Sequence, residues 1–272
     1  MIKRLYAYAL LAVAAIATAS PVSAQTQQGY WQKVQSAGVL RCGAAVSPPL
    51  VMRDPASGAY SGAYSEMCRE WAAVLGVKAE FVDTTWDNIV AGLQAGKWDI
   101  SLSLNRTPTR AMAINFSISA MPYEISLAYN KNNPKLSGGF TSVADIDKVG
   151  VTLAVMSGTA QDKAISAAIK TATILRLPGN DETRLAIISK RADVLVDQSD
   201  TNLLFVQQNQ DWAAQVMPKP ALAKQGVAFG LPYSMSYSDI EAFNIFVQER
   251  LDTGHMDELL RTAADEVLKA AK

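Results

Sequence analysis

Short apolar runs alternate with amphipathic stretches from residue 39 to the end of the chain. In WDNIVAGLQAG, the apolar residues lie at the i, i+3, i+4 and i+7 positions of one helical face, and the same spacing returns between Ile240 and Leu251. The runs predicted to be strands are Val39–Ala45, Ala79–Asp83, Asp99–Leu104, Val151–Met156, Ile174–Leu177, Val194–Val196 and Val227–Leu231. Strands separated by helices predict an α/β fold.

Two segments have the same predicted order of a strand, a short polar loop and a helix start. They are DISLSLNRTPTR and VTLAVMSGTAQDKA. In the first, Thr107 is a candidate N-cap and Pro108 occupies the first helical position. In the second, Thr159 is the candidate N-cap, and Asp162 follows three residues later as in a capping box. A helix start exposes unpaired N–H groups with partial positive charge, which bind carboxylate or phosphate. We therefore predict an anion site between the two helix starts.

Arg110 lies in the first turn of the first of these helices. A cation there is disfavoured by the helix dipole, so its position indicates an anion nearby, and its guanidinium could hold a carboxylate through two hydrogen bonds. The alternative is a solvated surface arginine, which is the interpretation we favour for Arg106. Trp86 could face a ligand, although its place in an apolar helical stripe favours the core.

The first 24 residues have the pattern of a secretory signal peptide. Lys3 and Arg4 precede the apolar run Leu5–Ala19, and Val22-Ser23-Ala24 supplies a small-residue cleavage site. The apolar run is shorter than the roughly 20 residues of a membrane-spanning helix. Cleavage after Ala24 would leave 248 of the 272 residues, exported to the periplasm.

Charge and cysteine content exclude several other classes of protein. The chain has 25 basic and 25 acidic residues, so it offers no basic surface for nucleic acid. Cys42 and Cys68, the two cysteines, are predicted to form a disulfide in an oxidising compartment; two buried free thiols are the alternative. His255, the single histidine, is interpreted as a surface residue, and no metal site is predicted.

Motifs of catalysis are missing from the sequence. It contains no G-x-S-x-G elbow, no P-loop and no H-E-x-x-H. The pattern is typical of a protein that binds an anion rather than one that breaks a bond.

The order and spacing of several motifs resemble a known family, the periplasmic amino-acid-binding proteins that serve bacterial ABC importers (solute-binding protein family 3). These motifs are AGVLRCG, GAYSGAYSEMCREWAAVLG, GLQAGKWDISLSLNRTPTRAMAINFS, VTLAVMSGTAQD, RADVLV and GVAFGLPY. The resemblance implies the type II periplasmic binding protein fold, in which two Rossmann-like α/β lobes are joined by two crossover strands. Carried onto this chain, one lobe comprises residues 25–126 with 226–272, and the other comprises residues 127–225.

The resemblance also implies a ligand site between the lobes. Arg110 matches the arginine that holds the ligand α-carboxylate, and Thr159 matches the hydroxyl at the facing helix start. The Ser103 carbonyl would receive the α-ammonium, and Trp86 would pack over the ligand, which reverses its assignment to the core. Backbone N–H groups would complete the grip on the carboxylate, at Gly158, Ala160 and Gln161.

The chain departs from the family at three places. Asn105 replaces the usual threonine before the TP turn, and Leu50 replaces an aromatic residue, which predicts an aromatic cover on one side only. The acid that pairs with the ammonium is replaced by Gln198. Either Asp197 takes over this contact, which we favour, or Gln198 itself touches the ligand; a further acid, Asp200, follows. Tyr64, Trp86 and Asn105 are expected to influence selectivity.

The predicted function is capture of an amino acid or related small carboxylate and its delivery to an inner-membrane ABC permease. No cofactor is implied, and a monomer is expected. The alternative is an enzyme that resembles the cyclohexadienyl dehydratases, which act on prephenate or arogenate on the same fold. Such an enzyme needs a cleft acid to protonate a leaving hydroxyl, and Glu66 and Glu124 are its candidates.

Overall fold

The computed structural model describes residues 28–270, so the predicted signal peptide lies outside the described residues. The helices are α1 Tyr30–Ala37, α2 Ala63–Leu75, α3 Ile89–Gln94, α4 Pro108–Ala111, α5 Ala160–Ala168, α6 Asn180–Ile188, α7 Ser199–Gln208, α8 Tyr237–Asp252 and α9 His255–Ala270. The strands are β1 Val39–Ala44, β2 Met52–Arg53, β3 Tyr60–Ser61, β4 Lys78–Asp83, β5 Ile100–Asn105, β6 Asn115–Phe116, β7 Met121–Asn130, β8 Thr152–Met156, β9 Thr173–Leu177, β10 Val194–Gln198, β11 Ala213–Val216 and β12 Lys224–Leu231.

The central strands form one curled sheet in the order β4-β1-β5-β12-β7-β10-β8-β9. At one end β1 pairs in parallel with β4 and β5, and at the other β8 pairs in parallel with β9 and β10. The antiparallel strands β7 and β12 join these two parallel groups. The fold is therefore α/β and two-lobed. The predicted lobe boundaries, 126/127 and 225/226, fall inside β7 and at the second residue of β12.

All seven predicted strands are present, with ends that coincide or differ by at most three residues. Five strands were not predicted. Three of these, β2, β3 and β6, have only two residues, too few to show an alternating pattern. In β7, Met121, Tyr123 and Ile125 alternate with Pro122 and Glu124 at the end that pairs with β12, and Glu124 forms an ion pair with Lys224 of that strand. The alternation is typical of a strand, but a proline within so short a run argues against one.

The disulfide between Cys42 and Cys68 is present and joins β1 to α2. Both cysteines are fully buried in the main apolar core, where Trp31, Trp71 and Phe243 pack edge to face or at a tilt. Among residues 28–270, no helix is both long and apolar enough to span a bilayer.

His255 has a larger structural role than the surface position that was predicted for it. It is the first residue of α9, and its Nε2 lies 2.6 Å from Oε1 of Glu70 in α2. Arg250 of α8 donates to the other oxygen of the same carboxylate at 3.0 Å. Glu70 therefore links three helices, and the imidazole is only partly exposed.

Candidate functional site

A small cavity lies where the carboxyl ends of parallel strands from the two lobes meet. The last residues of these strands, together with the loops and helix starts that follow them, supply most of its wall, as is usual for ligand sites in α/β sheets. Its lining residues are Ser47, Trp86, Ser103, Asn105, Tyr123, Met156, Thr159, Gln161 and Gln198. None of them is acidic, and the part of the chain that the structure describes contains no cluster of His, Cys, Asp and Glu that could hold a metal ion.

Ser103 interrupts the regular geometry of β5 beside the cavity. Its φ of +51° lies in the left-handed region, and the register between β5 and β12 shifts opposite it. A non-glycine residue in that conformation costs on the order of 1 kcal/mol or more and is characteristic of functional sites. Its hydroxyl is buried and has no hydrogen-bond partner among residues 28–270. Ser103 therefore offers an unused polar group at the cavity wall.

Arg110 lies beside this wall, in the four-residue helix α4. Thr107 caps the helix as predicted, since its hydroxyl accepts a hydrogen bond from the Arg110 N–H at 3.3 Å. The guanidinium is 5% exposed and donates to the carbonyls of Asn105, at 3.3 Å, and Gly158, at 3.4 Å. Burial lowers the pKa of Arg110. No acidic residue within 28–270 pairs with it, so a buried cation stands next to the cavity without a counter-charge.

The start of α5 faces Arg110 from the second lobe. Thr159 caps α5, and its hydroxyl accepts from the Asp162 N–H at 3.2 Å. The Asp162 carboxylate accepts a hydrogen bond from the Gly158 N–H, at 3.3 Å. In a regular capping box it would accept from the N–H of the cap residue, Thr159. The Gly158 N–H is thus engaged within the protein, and the N–H groups of residues 159–161 are the ones that can donate to an anion held between the lobes.

The two lobes touch each other around the cavity. Ser157 donates to the Asp87 carboxylate at 3.1 Å, and Thr201 donates to the Pro48 carbonyl at 3.2 Å. Gly158, at φ +74°, packs against Asp87 so closely that an added Cβ would lie 2.3 Å from its Oδ1. The structure thus represents a closed arrangement, and glycine is required at position 158 for both its backbone angle and this close approach.

Asp197 and Gln198 occupy different positions relative to the cavity. Gln198 lines it, whereas Asp197 is buried and is not among the lining residues, so the geometry favours Gln198 as the ligand contact, contrary to our preference for Asp197. Its Oδ1 accepts from the side chain of Gln161, at 2.8 Å, and from the Gln198 N–H, at 2.7 Å. Tyr123 completes the chain by donating to Gln161 Oε1 at 2.9 Å. Asp197 therefore orients the side-chain amide of Gln161, which lines the cavity, and holds the backbone of Gln198.

Asp197→Asn is expected to stabilise the protein at neutral pH. Burial raises the pKa of Asp197 to about 6, despite the opposing effects of the Gln198 N–H, Arg184 and Gln161. Because the folded-state pKa exceeds the unfolded value, the carboxyl group favours folding at low pH and loses this contribution as pH rises through about 6. Asparagine keeps the acceptor without the charge. We expect its stability advantage in urea unfolding to grow by roughly 2 kcal/mol between pH 4.5 and 7.5.

Asp200→Asn provides the matched control for that measurement, because Asp200 is exposed in the next helix. The control should show a pH-independent difference from the wild type. An Asp197→Asn advantage that does not change with pH would contradict the buried, charged state of this carboxylate.

Two aromatic predictions had different outcomes. Trp86 is both a core and a cavity residue: it is 8% exposed, packs against Ile89, and lines the cavity. Tyr64 does not line the cavity. Its hydroxyl donates to the Val227 carbonyl at 3.0 Å and its ring packs against Phe229, so it cannot contribute to selectivity by direct contact.

The remaining predicted residues divide by position. Asn105, Thr159 and Gln161 line the cavity, while Gly158 and Ala160 flank Thr159 at the start of α5 and are not among the lining residues. Ser47, Tyr123 and Met156 line it although the sequence did not point to them. For Tyr123, a signal was available in the alternating buried positions at 121, 123 and 125, once β7 is taken as a crossover strand.

Comparison with known proteins places this geometry in a family. A model of the bacterial extracellular solute-binding proteins, family 3, matches residues 40–270. A cyclohexadienyl dehydratase from Pseudomonas aeruginosa is 25% identical over 256 residues, which cover 92% of this chain and 90% of that protein.

Solved structures give similar results. An ancestral amino acid-binding protein, described as a precursor of cyclohexadienyl dehydratase, has a TM-score of 0.76 at 26% identity, covering 85% of this chain and 98% of its own. A binding component of an ABC transporter from Wolinella succinogenes, complexed with lysine, has a TM-score of 0.74 at 25% identity, covering 82% and 94%. The protein belongs to the bacterial extracellular solute-binding proteins, family 3.

Proposed function

We propose that the protein captures an amino acid or a related small carboxylate between its lobes and delivers it to an inner-membrane ABC permease. The buried guanidinium of Arg110, which no acidic residue within 28–270 pairs with, is the observation that carries this proposal. A ligand carboxylate would supply the missing charge and accept two hydrogen bonds from the guanidinium. The start of α5, capped by Thr159, would donate to the same group from the other lobe.

A ligand ammonium would meet a polar but uncharged wall. The left-handed backbone of Ser103 sets its carbonyl apart from the regular strand geometry, and the side-chain amides of Gln161 and Gln198 are lobe-two groups on the cavity. Asp197 would act on an ammonium only through space and through the Gln161 amide that it orients. Binding of amines should therefore be weaker here than in a site with a carboxylate in direct contact, and a carboxylate without an amine is a reasonable ligand.

The proposed cycle follows from the two-lobed fold. In the open form each half of the site is solvated, and closure removes water from the carboxylate between Arg110 and α5. Contacts such as Ser157–Asp87 would then hold the closed form that the permease recognises. The N-terminal signal pattern supports export to the periplasm, where cleavage after Ala24 would release the protein.

A second candidate is a dehydratase on the same fold, because one relative is a cyclohexadienyl dehydratase. Neither predicted acid favours it. Glu66 pairs with Arg69 on α2, and Glu124 pairs with Lys224 between the crossover strands; neither lines the cavity. The nearest carboxyl group to consider is Asp197, which would have to reach past Gln161 to donate a proton. Turnover of prephenate or arogenate by purified protein would favour this candidate.

The test of the binding function is a thermal-shift screen on protein that has been unfolded and refolded to remove carried ligand. The panel contains amino acids, their derivatives and small carboxylates. A ligand that binds only the folded state at a thousandfold excess over Kd adds about 4 kcal/mol of stability. A large shift with one group of α-carboxylates is the expected result. The proposal fails if no carboxylate shifts the transition, or if a bound substrate is converted to product.

A further inference from the structure

A more open outer cleft adjoins the cavity. Trp86 and Met156 line both spaces, so a ligand whose head group lies in the cavity would reach the outer cleft by passing these two side chains. Both lobes contribute to the outer cleft: the first supplies residues that include Arg53, and the second supplies the start of α6. This start contains polar groups that the binding function described above does not use.

Asn180 is the first residue of α6 and faces the outer cleft. It is only 5% exposed, and its side-chain Oδ1 and Nδ2 both lack a hydrogen-bond partner among residues 28–270. A buried amide without hydrogen-bond partners destabilises the folded state. Asparagine is therefore an unfavourable choice here unless something else completes its hydrogen bonds.

Arg184 follows one turn later on the same helix and lines the same cleft. Residues four apart share a helical face, so Asn180 and Arg184 are neighbours. The Nε and Nη2 atoms of Arg184 are inaccessible to solvent and have no partner in the described part of the chain. The positive charge of Arg184 does act on Asp197, which is buried behind the cavity wall: it lowers the pKa of that carboxyl group.

The unpartnered N–H donors of Arg184 and Asn180 suit a carboxylate. Nε and Nη2 of an arginine form the fork that binds both oxygens of a carboxylate, and an asparagine Nδ2 can donate a further bond. The acidic residues that also line the outer cleft are exposed, where water and salt screen them: Asp54, Asp181, Glu182 and Glu266. The buried donors of Arg184 are not screened in this way.

We propose that Arg184 and Asn180 form a second recognition site, which binds a carboxylate at the far end of the ligand. The solute would then carry two acidic groups, one held by Arg110 in the cavity and one by Arg184 in the outer cleft. This inference rests on the proposed binding function and narrows its substrate class to ω-carboxylated amino acids and the corresponding dicarboxylic acids.

The test compares pairs of compounds that differ only at the tail. Each ω-acid is matched with its ω-amide, from aspartate and asparagine to 2-aminopimelate and its amide, and the series is repeated without the α-amino group. L-lysine adds a cationic tail. Titration calorimetry on stripped wild-type protein should show that an acid of one length binds at least tenfold more tightly than its amide. Arg184→Gln should remove this preference while changing the affinity for the amide less than threefold.

Two variants make the result specific. Arg191→Gln removes the same charge from an exposed position after α6 and should keep the acid preference. Asn180→Ala should reduce the preference without abolishing it, and its melting temperature shows whether α6 remains folded. If Arg184 acts only as a counter-charge to Asp197, its replacement will change the affinities for acid and amide equally, and this result would overturn the second site.

The outcomes also separate this inference from the proposed function. Binding of amides or L-lysine with affinity equal to or greater than that of the acids, still dependent on Arg110, overturns the second site and leaves the binding function standing. Failure of every compound in both series to bind, while another α-carboxylate of the thermal-shift panel binds, overturns the second site alone. Failure of every carboxylate in that panel overturns the binding function and the second site with it.

Discussion

Arg110→Ala is expected to weaken ligand binding more than a hundredfold and to leave the unliganded protein at least as stable as the wild type. The affinity loss arises because the ligand carboxylate would enter a closed cavity without its guanidinium partner, which costs roughly 3 kcal/mol or more. The stability effect has the opposite sign. Burial lowers the pKa of Arg110, and no acidic residue within 28–270 pairs with it. The buried charge of Arg110 therefore destabilises the folded state when no ligand is present.

The measurement is a titration with whichever compound gives the largest thermal shift, together with urea unfolding of stripped protein. Arg106→Ala is the matched control, because Arg106 lies four residues earlier and is exposed. It should bind like the wild type. An Arg110→Ala protein that keeps its dissociation constant would disprove the carboxylate site, and one that loses both affinity and stability would indicate a structural role instead.

The second large effect concerns the disulfide. Replacing Cys42 and Cys68 together with alanine is expected to lower the free energy of unfolding by about 3 kcal/mol. The bond closes a segment with a sequence separation of 26 residues, and its loss returns the corresponding chain entropy to the unfolded state. Because both cysteines are fully buried, the missing sulfur atoms add a small packing loss.

Reductant provides the internal control for this prediction. Wild-type protein equilibrated in urea with a thiol reductant should approach the stability of the double variant, while the variant itself should not respond. Ligand affinity should change little, since neither cysteine lines the cavity. Equal stability of wild type and variant in oxidising buffer would show that the bond does not form in the protein.

The sequence predicted much of the site because the relevant signals are local. Thr107, Pro108 and Thr159 are helix-start residues whose capping depends on neighbours within three positions, and both caps form where they were predicted. Arg110 also stood out locally, as a cation in the first helical turn. Cys42 and Cys68 lie on a strand and a helix whose patterns were clear, and the fold joins them.

The crossover strands show where local pattern was insufficient. β7 alternates buried and exposed positions only at its start and is buried on both faces from residue 125 to 128. Residues 125–128 therefore have no alternating pattern, since their burial comes from neighbours on both sides. Tyr123 lies in the alternating part and was missed because Pro122 beside it argues against a strand, although Tyr123 belongs to the hydrogen-bond chain that ends at Asp197.

The sequence by itself determined the α/β class, the family and the two helix starts that face each other, because these depend on spacing along the chain. Only the tertiary structure decided which side chains reach the cavity. Gln198 faces it and Asp197 does not, because adjacent residues of a strand point to opposite faces. Likewise, Tyr64 is held in the core by Val227, and Arg184 is brought to the outer cleft by the packing of α6. Those contacts join residues far apart in the chain, and no local pattern specifies them.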